Sequence, residues 1–481
     1  MLDLRKLTIA QYHEALIDGE LTVQELVRFY LDRIDRYDGK IKSIISINPN
    51  ALEEAKTCDE FIRQHAGKTD LLRAQIALNL PLYAVPVLVK DNIETEELPT
   101  TAGSLSLKDF STGKDAEIVK RLKKAGAIIL AKTNLHEFAI WGETISSIKG
   151  QTLNPWDLTR TPGGSSGGTG AALAANFGLV GLGTDTINSI RSPSSANHLF
   201  GIRPTAGLVS DDGIVPYSLT QDTAGPMARD LSDAERVLSV ISGKTFSEPE
   251  PNKTWKIGVL RSFYGTEPIN APVNKVMQAV YENWLQLQNR QGAVQLVELE
   301  DKIDSAELVS EVSVHLYELK AHLNAYLKSV HAPYPSIQAI LDSGLHHPGI
   351  KENLEIANRL DINSEEYKER MKKREALQDR LRSIFEREQL DAIIFPHQQQ
   401  LVCKVGEAQK QRNGALAAIS GFPSICMPEL AEERTTDAPL GVPLGFEIFG
   451  LPNSESKLLA IALLYRNEFS LSRNPLEDNW L

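Results

Sequence analysis

Residues 161–172 read TPGGSSGGTGAA, and the organisation of the chain turns on what that run is. Four glycines and two serines fall within six residues, with alanines behind them. Gly/Ser runs are commonly flexible linkers. This one is short, is followed at once by AALAANF at 171–177, and sits in a region of alternating strand and helix signals. A phosphate-cradling loop needs GxxxxGK[ST]. Gly163 and Gly168 have that separation, but Thr169 stands where the lysine belongs. GGSSG satisfies GxSxG with Ser165 at its centre, yet that elbow should follow a strand directly, and NPWDLTRTP precedes it. No local pattern singles out a partner among the ten histidines; His198, in HLFG, reads as structural.

Working outward, VPVLVKDN at 85–92 is an apolar, β-branched run ending in polar residues, the pattern of a buried strand. DAEIVKRLKKAGAIILAKTN at 115–134 reads as helix, a stop at Gly126, then strand. LVGLGTDT at 179–186 is another buried strand, followed by a turn and helix in SIRSPSSANHLFG. Alternation of this kind predicts an α/β sheet covered by helices. Residues 7–66 carry helical spacing throughout, with Thr22 as an N-cap before Glu25. Residues 241–390 are more polar and read as mostly helical. Within them Leu308, Val312, Leu316, Leu319, Leu323 and Leu327 form one stripe, expected to face a core. Strand signals return in DAIIFP, AAISGFPSICMP and PLGFEIFG, so one sheet is completed late and the middle is an insertion.

A net charge of −12 and the lack of a basic stripe argue against binding nucleic acid or anionic membranes. The first residues show no apolar core behind a basic leader, and no stretch of eighteen apolar residues occurs. Cys58, Cys403 and Cys426 lie far apart, odd in number, with neither disulfide nor zinc spacing. A soluble cytoplasmic protein is the expectation, with no metal and no organic cofactor.

A serine can also be activated by lysine. Lys90 closes one strand and Ser189 follows the end of another, where parallel-type sheets present chemistry. A lysine becomes a base near neutrality only if burial lowers its pKa from about 10.4 to about 7, at a cost of roughly 4–5 kcal/mol. Val85, Val87, Leu88 and Val89 offer the apolar setting. Taken alone, Lys90 beside Asp91 reads equally as an ordinary ion pair.

Several segments in order resemble the amidase signature family of serine hydrolases. They are VPVLVKDNI at 85–93, KTNLHEFA at 132–139, GQTLNPWDLTRTPGGSSGGTGAA at 150–172, GLGTDTINSIRSPSS at 181–195 and GIRPTAGLVSDDGIVPYSLTQDTAGPMARD at 201–230. GFPSICMP and PLGVPLGFEIFG are similar to the closing segments of that family. The resemblance spans nearly the whole chain. It implies an amidase-signature α/β fold, with a central twisted mixed β-sheet covered on both faces by helices. The implied division is an N-terminal helical segment at 1–80, a signature core at 81–240, a variable helical insertion at 241–390 and a closing segment at 391–481.

The resemblance also implies site roles. Ser189 is the expected nucleophile, Ser165 a bridging serine on a non-proline cis peptide, and Lys90 the general base. The oxyanion hole would be the backbone N–H groups of Thr186, Ile187, Asn188 and Ser189. Ser166, Asp185 and Arg191 would support the loop, and Phe138–Gly142 would line the substrate with residues of the insertion. One departure is plain: the family commonly has GGS where this chain has Ile187-Asn188-Ser189. The expected function is hydrolysis of a linear carboxamide through a Ser189 acyl-enzyme. Two alternatives stand beside it: a glutaminase-type subunit of a glutamyl-tRNA amidotransferase-like complex, and a member whose activity is no longer hydrolytic. The expected partner is a small-molecule amide, and the resemblance is compatible with a homodimer.

Overall fold

The computed structural model describes residues 2–65, 67–246, 253–431 and 434–469. Its strands in chain order are β1 Ile44–Ile47, β2 Pro86–Lys90, β3 Ile128–Thr133, β4 Ile145–Ser146, β5 Gly150–Gln151, β6 Val180–Asp185, β7 Phe200–Arg203, β8 Thr223–Ala228, β9 Trp255–Leu260, β10 Val294–Leu299, β11 Ala392–Pro396, β12 Ser424–Ala431 and β13 Val442–Phe449. β4 and β5 pair with each other as a small hairpin, and the other eleven form one mixed sheet, ordered β1-β3-β2-β6-β8-β7-β12-β13-β11-β9-β10. β2 runs parallel to both β3 and β6, so Lys90 and Asp185 end neighbouring strands on the same side of the sheet. Every residue of β2, β3 and β6 is buried, which is why these segments read as continuous apolar runs without alternation.

Helices flank the sheet, and several end as their residues dictate. Thr22 and Glu25 form a reciprocal capping box at the start of helix Val23–Ile41. Helix Glu117–Lys124 stops before Gly126, whose φ of 94° would place a Cβ 2.9 Å from the Tyr83 backbone.

Three expectations are corrected. Residues 7–66 are not helical throughout: β1 lies between helices Val23–Ile41 and Ala51–Gln64 and pairs antiparallel with β3. Four residues are too few for periodicity to separate a short strand from a helix end. The insertion is not purely helical either, because β9 and β10 extend the sheet beyond β11. WKIGVL at 255–260 carries the apolar signal of β9, but its polar surroundings obscured it.

Finally, the leucine stripe at 308–327 belongs to two helical pieces. Leu308 and Val312 lie in a short wide turn, Leu308–Val312, and pack with Leu260, Leu381 and Phe385. Leu319, Leu323 and Leu327 lie in helix His315–Ser329 and pack with Phe138, Ile140 and Tyr217. Neither proline nor glycine makes the break. Gln221 does, with its side-chain oxygen accepting from Ser313 Oγ at 3.0 Å and from the Val314 N–H at 2.9 Å. No local pattern could announce that tie, which spans about ninety residues of chain.

Candidate active site

Lys90 ends β2 with its side chain wholly buried. Its Nζ donates to Ser165 Oγ at 2.8 Å, to Thr184 Oγ1 at 2.8 Å and to the Thr184 carbonyl at 3.4 Å. One strand over, the equally buried Lys132 pairs with Asp91 at 3.3 Å. The carboxylate next to Lys90 in sequence is therefore taken by another lysine, and Lys90 is left among hydroxyls. Burial pushes its pKa down to about 7, against the opposing pull of Asp185 and Asp222.

Ser165 enters from the glycine-rich run, where the Gly164–Ser165 peptide bond is cis. Its carbonyl accepts from the His136 N–H at 3.0 Å. Ser166 turns toward β6, where its Oγ donates to the Thr184 carbonyl at 3.1 Å and accepts from the Thr184 N–H at 3.3 Å. The Ser166 N–H donates to the Ser189 carbonyl at 3.2 Å. Two seryl residues from the run thus bridge the end of β2 and the turn after β6, joining Lys90 to Ser189 by direct contacts.

Thr186, Ile187, Asn188 and Ser189 all face a cavity of about 830 Å³, ample for a small organic substrate. Among the described residues, the N–H groups of Ile187, Asn188 and Ser189 donate to no protein acceptor, whereas the next one, on Ile190, donates to Asp185 at 3.0 Å. A turn presenting free N–H groups beside a hydroxyl can hold an oxyanion. Ala139 and Trp141 form one wall and the insertion supplies the opposite one, including Ser313, Leu316 and Tyr317. Of the expected lining segment, Phe138 points into the core and Gly142 packs against the Arg412 guanidinium. Among the described residues no group of histidine, cysteine, aspartate and glutamate side chains could hold a metal ion, and no helix is long and apolar enough to cross a membrane.

Comparison with known proteins identifies the family. Residues 25–459 match the Amidase family. The chain belongs to the amidase family. It is similar to a glutamyl-tRNA(Gln) amidotransferase subunit of Caldanaerobacter subterraneus, 30% identical over 98% of this chain and 99% of the relative. It is also similar to a probable amidase of Arabidopsis thaliana, 31% identical over 98% and 91% of the two chains. The native peptide amidase of Stenotrophomonas maltophilia superposes with a TM-score of 0.83 at 30% identity, covering 98% of this chain and 99% of that one.

In this amidase-family chain the glycines of the opening run serve close approach. A Cβ at Gly168 would lie 2.1 Å from the Asn134 carbonyl oxygen, and one at Gly163 2.9 Å from the Ser192 carbonyl oxygen. Both obstacles are backbone and cannot swing away. Gly168→Ala should lower stability by about 1–3 kcal/mol, the range for overpacking a close-packed interior, read as a lower urea midpoint at unchanged slope.

The turn itself is braced by residues both foreseen and missed. Asp185 and Arg191 pair, with Arg191 Nε 3.2 Å from Asp185 Oδ2, and Arg191 also donates to the Ile187 carbonyl at 2.8 Å. The two arginines Arg191 and Arg203 hold the Asp185 carboxyl well below the usual range despite its burial. Glu447, from β13, receives Arg191 at 2.7 Å, and His397 Nδ1 lies 2.7 Å from its other oxygen. On the opposite side Asp222 accepts from Thr186 Oγ1 at 2.5 Å, and Gln221 Nε2 donates to the Thr186 carbonyl at 3.1 Å. Arg203, Gln221 and Asp222 lie inside segments that carried the resemblance, so the signal was present but unassigned. Glu447 lies in the closing segment PLGVPLGFEIFG, which also carried the resemblance, whereas nothing local marks His397. His198 packs on Trp156 with ring centroids 5.4 Å apart, a structural place.

Proposed function

We propose that this chain hydrolyses the C–N bond of a linear carboxamide through an acyl-enzyme on Ser189. The observation that carries the proposal is Lys90, which is buried, short of a carboxylate partner, and 2.8 Å from the Ser165 hydroxyl. Neutral Lys90 takes the Ser165 proton as Ser165 takes that of Ser189. Ser189 Oγ then adds to the amide carbonyl, whose oxygen gains the electron pair and is held by the N–H groups of the 186–189 turn. Collapse restores the carbonyl and breaks the C–N bond, and the proton on Lys90 returns through Ser165 to the departing nitrogen. Water, deprotonated by the same relay, attacks the ester and releases the acid with Ser189 restored.

Asp185, Arg191 and Ser166 act by holding the turn and the run in register. The proposed partner is a small-molecule amide alone, and the cytoplasmic setting and homodimer expected from the sequence carry over as part of this proposal. No step calls on a cofactor or metal.

With Lys90 pushed down to about 7, kcat/KM for an uncharged amide should rise with pH through about 7 as its ammonium loses the proton, then level off. Initial rates between about pH 5 and 9 at constant ionic strength check this, and a flat profile counts against Lys90 as the base.

The second reading, a glutaminase-type subunit delivering ammonia to a partner, is favoured by the relatives of that name. Against it stand the two side chains in the 187–188 turn. Ammonia release by the isolated chain from simple amides, with glutamine alongside, separates the two: turnover of simple amides supports the amidase, and silence except on glutamine supports the glutaminase role.

A further inference from the structure

Ile187 and Asn188 stand where the resemblance leads one to expect glycines, and both face the cavity beside Ser189. Asn188 is only 2% exposed, and its Nδ2 is buried with no hydrogen-bond acceptor. A buried donor without an acceptor is costly, and such a group in a site is explained when a ligand completes it. The protein offers no replacement. Gly414, packed against the Asn188 Cβ, has no side chain to accept. His397, whose Cε1 meets the same face of Gly414 as the Asn188 Cβ, keeps Nδ1 on Glu447, and its Nε2 is itself unpartnered, so the two side chains do not bond.

The charged groups of the cavity wall are already engaged. Asp304 caps the helical turn that follows it, accepting from the Ala306 N–H at 2.8 Å. Glu366 lies 3.7 Å from Arg370, and Arg412 donates to Glu143 at 2.7 Å. His315 is held neutral by burial, with Nδ1 2.6 Å from Ser313 Oγ. Arg370 and Arg412 each keep a buried Nε without an acceptor, but each guanidinium already has a carboxylate beside it, so the ammonium or carboxylate of a substrate such as free glutamine would compete with an existing ion pair.

We propose that the Asn188 side chain is a specificity-determining donor: its Nδ2–H bonds to a neutral oxygen that the substrate carries beside the scissile carbonyl. Preferred substrates are then uncharged amides with a second carbonyl, ether or hydroxyl oxygen near the reacting one. For a primary amide, which releases ammonia, that oxygen belongs to the acyl part. This inference rests on the amidase reading above.

The test compares N-acetylphenylalaninamide, which has the second carbonyl, with 3-phenylpropanamide, which lacks it. The kcat/KM ratio of the two is measured for the wild-type protein, Asn188→Leu and Asn188→Ala. A ratio taken within one protein cancels any general loss from disturbing the turn. The wild type should favour the first amide by about tenfold or more, and both variants should lose about tenfold of that preference, the usual scale for one hydrogen bond in a closed site. An unchanged ratio in both variants overturns the role of Asn188 and leaves the amidase reading standing. A drop in Asn188→Ala alone overturns it too, since volume would then be what matters. A wild type that labels at Ser189 with a fluorophosphonate but hydrolyses only glutamine overturns the neutral-substrate inference. Absence of both labelling and hydrolysis overturns the amidase reading itself.

Discussion

Ser189→Ala should abolish covalent labelling by a fluorophosphonate probe and lower amide hydrolysis by about 10⁴-fold or more, the scale seen when a serine nucleophile is removed. Ser189 faces the cavity beside a turn of free N–H groups, and its carbonyl accepts from the N–H of Ser166, next to the Ser165 hydroxyl that meets Lys90. Loss of Ser165 should be milder in its first effect. Ser165→Ala leaves Ser189 and the turn in place but cuts the contact at 2.8 Å to Lys90 on which the proposed relay depends. Labelling should then slow by orders of magnitude yet still end on Ser189, as intact-mass and peptide mapping would show. The opposite result, full labelling of Ser189→Ala and none of Ser165→Ala, would place the nucleophile at 165 and restore the elbow reading of GGSSG.

Lys90→Met should abolish turnover and, at the same time, make the protein more stable. Carrying this ammonium into the core costs the difference between its ordinary pKa of 10.5 and about 7, or about 4–5 kcal/mol at about 1.4 kcal/mol per unit. Met fills a similar apolar volume without that cost. Ser165 and Thr184 lose a donor, which returns about 2 kcal/mol, so a net gain of about 2–3 kcal/mol is expected in urea denaturation at neutral pH. The sign with pH is a further check. Because the folded pKa is depressed, the cost is complete below about pH 7, where the lysine is charged in both states. It fades as pH rises toward 10.5, where the unfolded lysine also loses its proton. The gap between variant and wild type should therefore close on the alkaline side. A variant less stable than the wild type at pH 7 would mean that Lys90 sits in the fold as a satisfied cation, and the base assignment would fail with it. Such a gain from deleting a buried functional group is the usual mark of a site whose stability has been given up for activity.

Much of the site was legible because its parts lie in a few continuous segments. Lys90 closes a strand whose apolar run is unmistakable, Ser165 sits in a glycine run too short for a linker, and Ser189 follows a third apolar run. What was not legible came through contacts distant in sequence. The break at Ser313 that shapes the cavity wall is made by Gln221, and the brace on Arg191 comes from Glu447, more than two hundred residues on. The strands β1 and β9 were missed for a different reason: β1 has only four residues, β9 lies in polar surroundings, and what makes each a strand is its neighbour in the sheet.

By itself, then, the order of residues determined the mixed α/β class, the segments that meet at the site and the glycines at 163–168, since burial on both faces of a strand and the absence of a Cβ are written locally. Only the tertiary structure decided which lysine is left without a carboxylate. Lys90 and Lys132 are both buried on adjacent parallel strands, and Asp91 follows Lys90 in the chain, yet Asp91 pairs with Lys132 and leaves Lys90 facing Ser165. Electrostatic pairing follows distance in space, and the chain carries that distance only once β2 and β3 lie side by side.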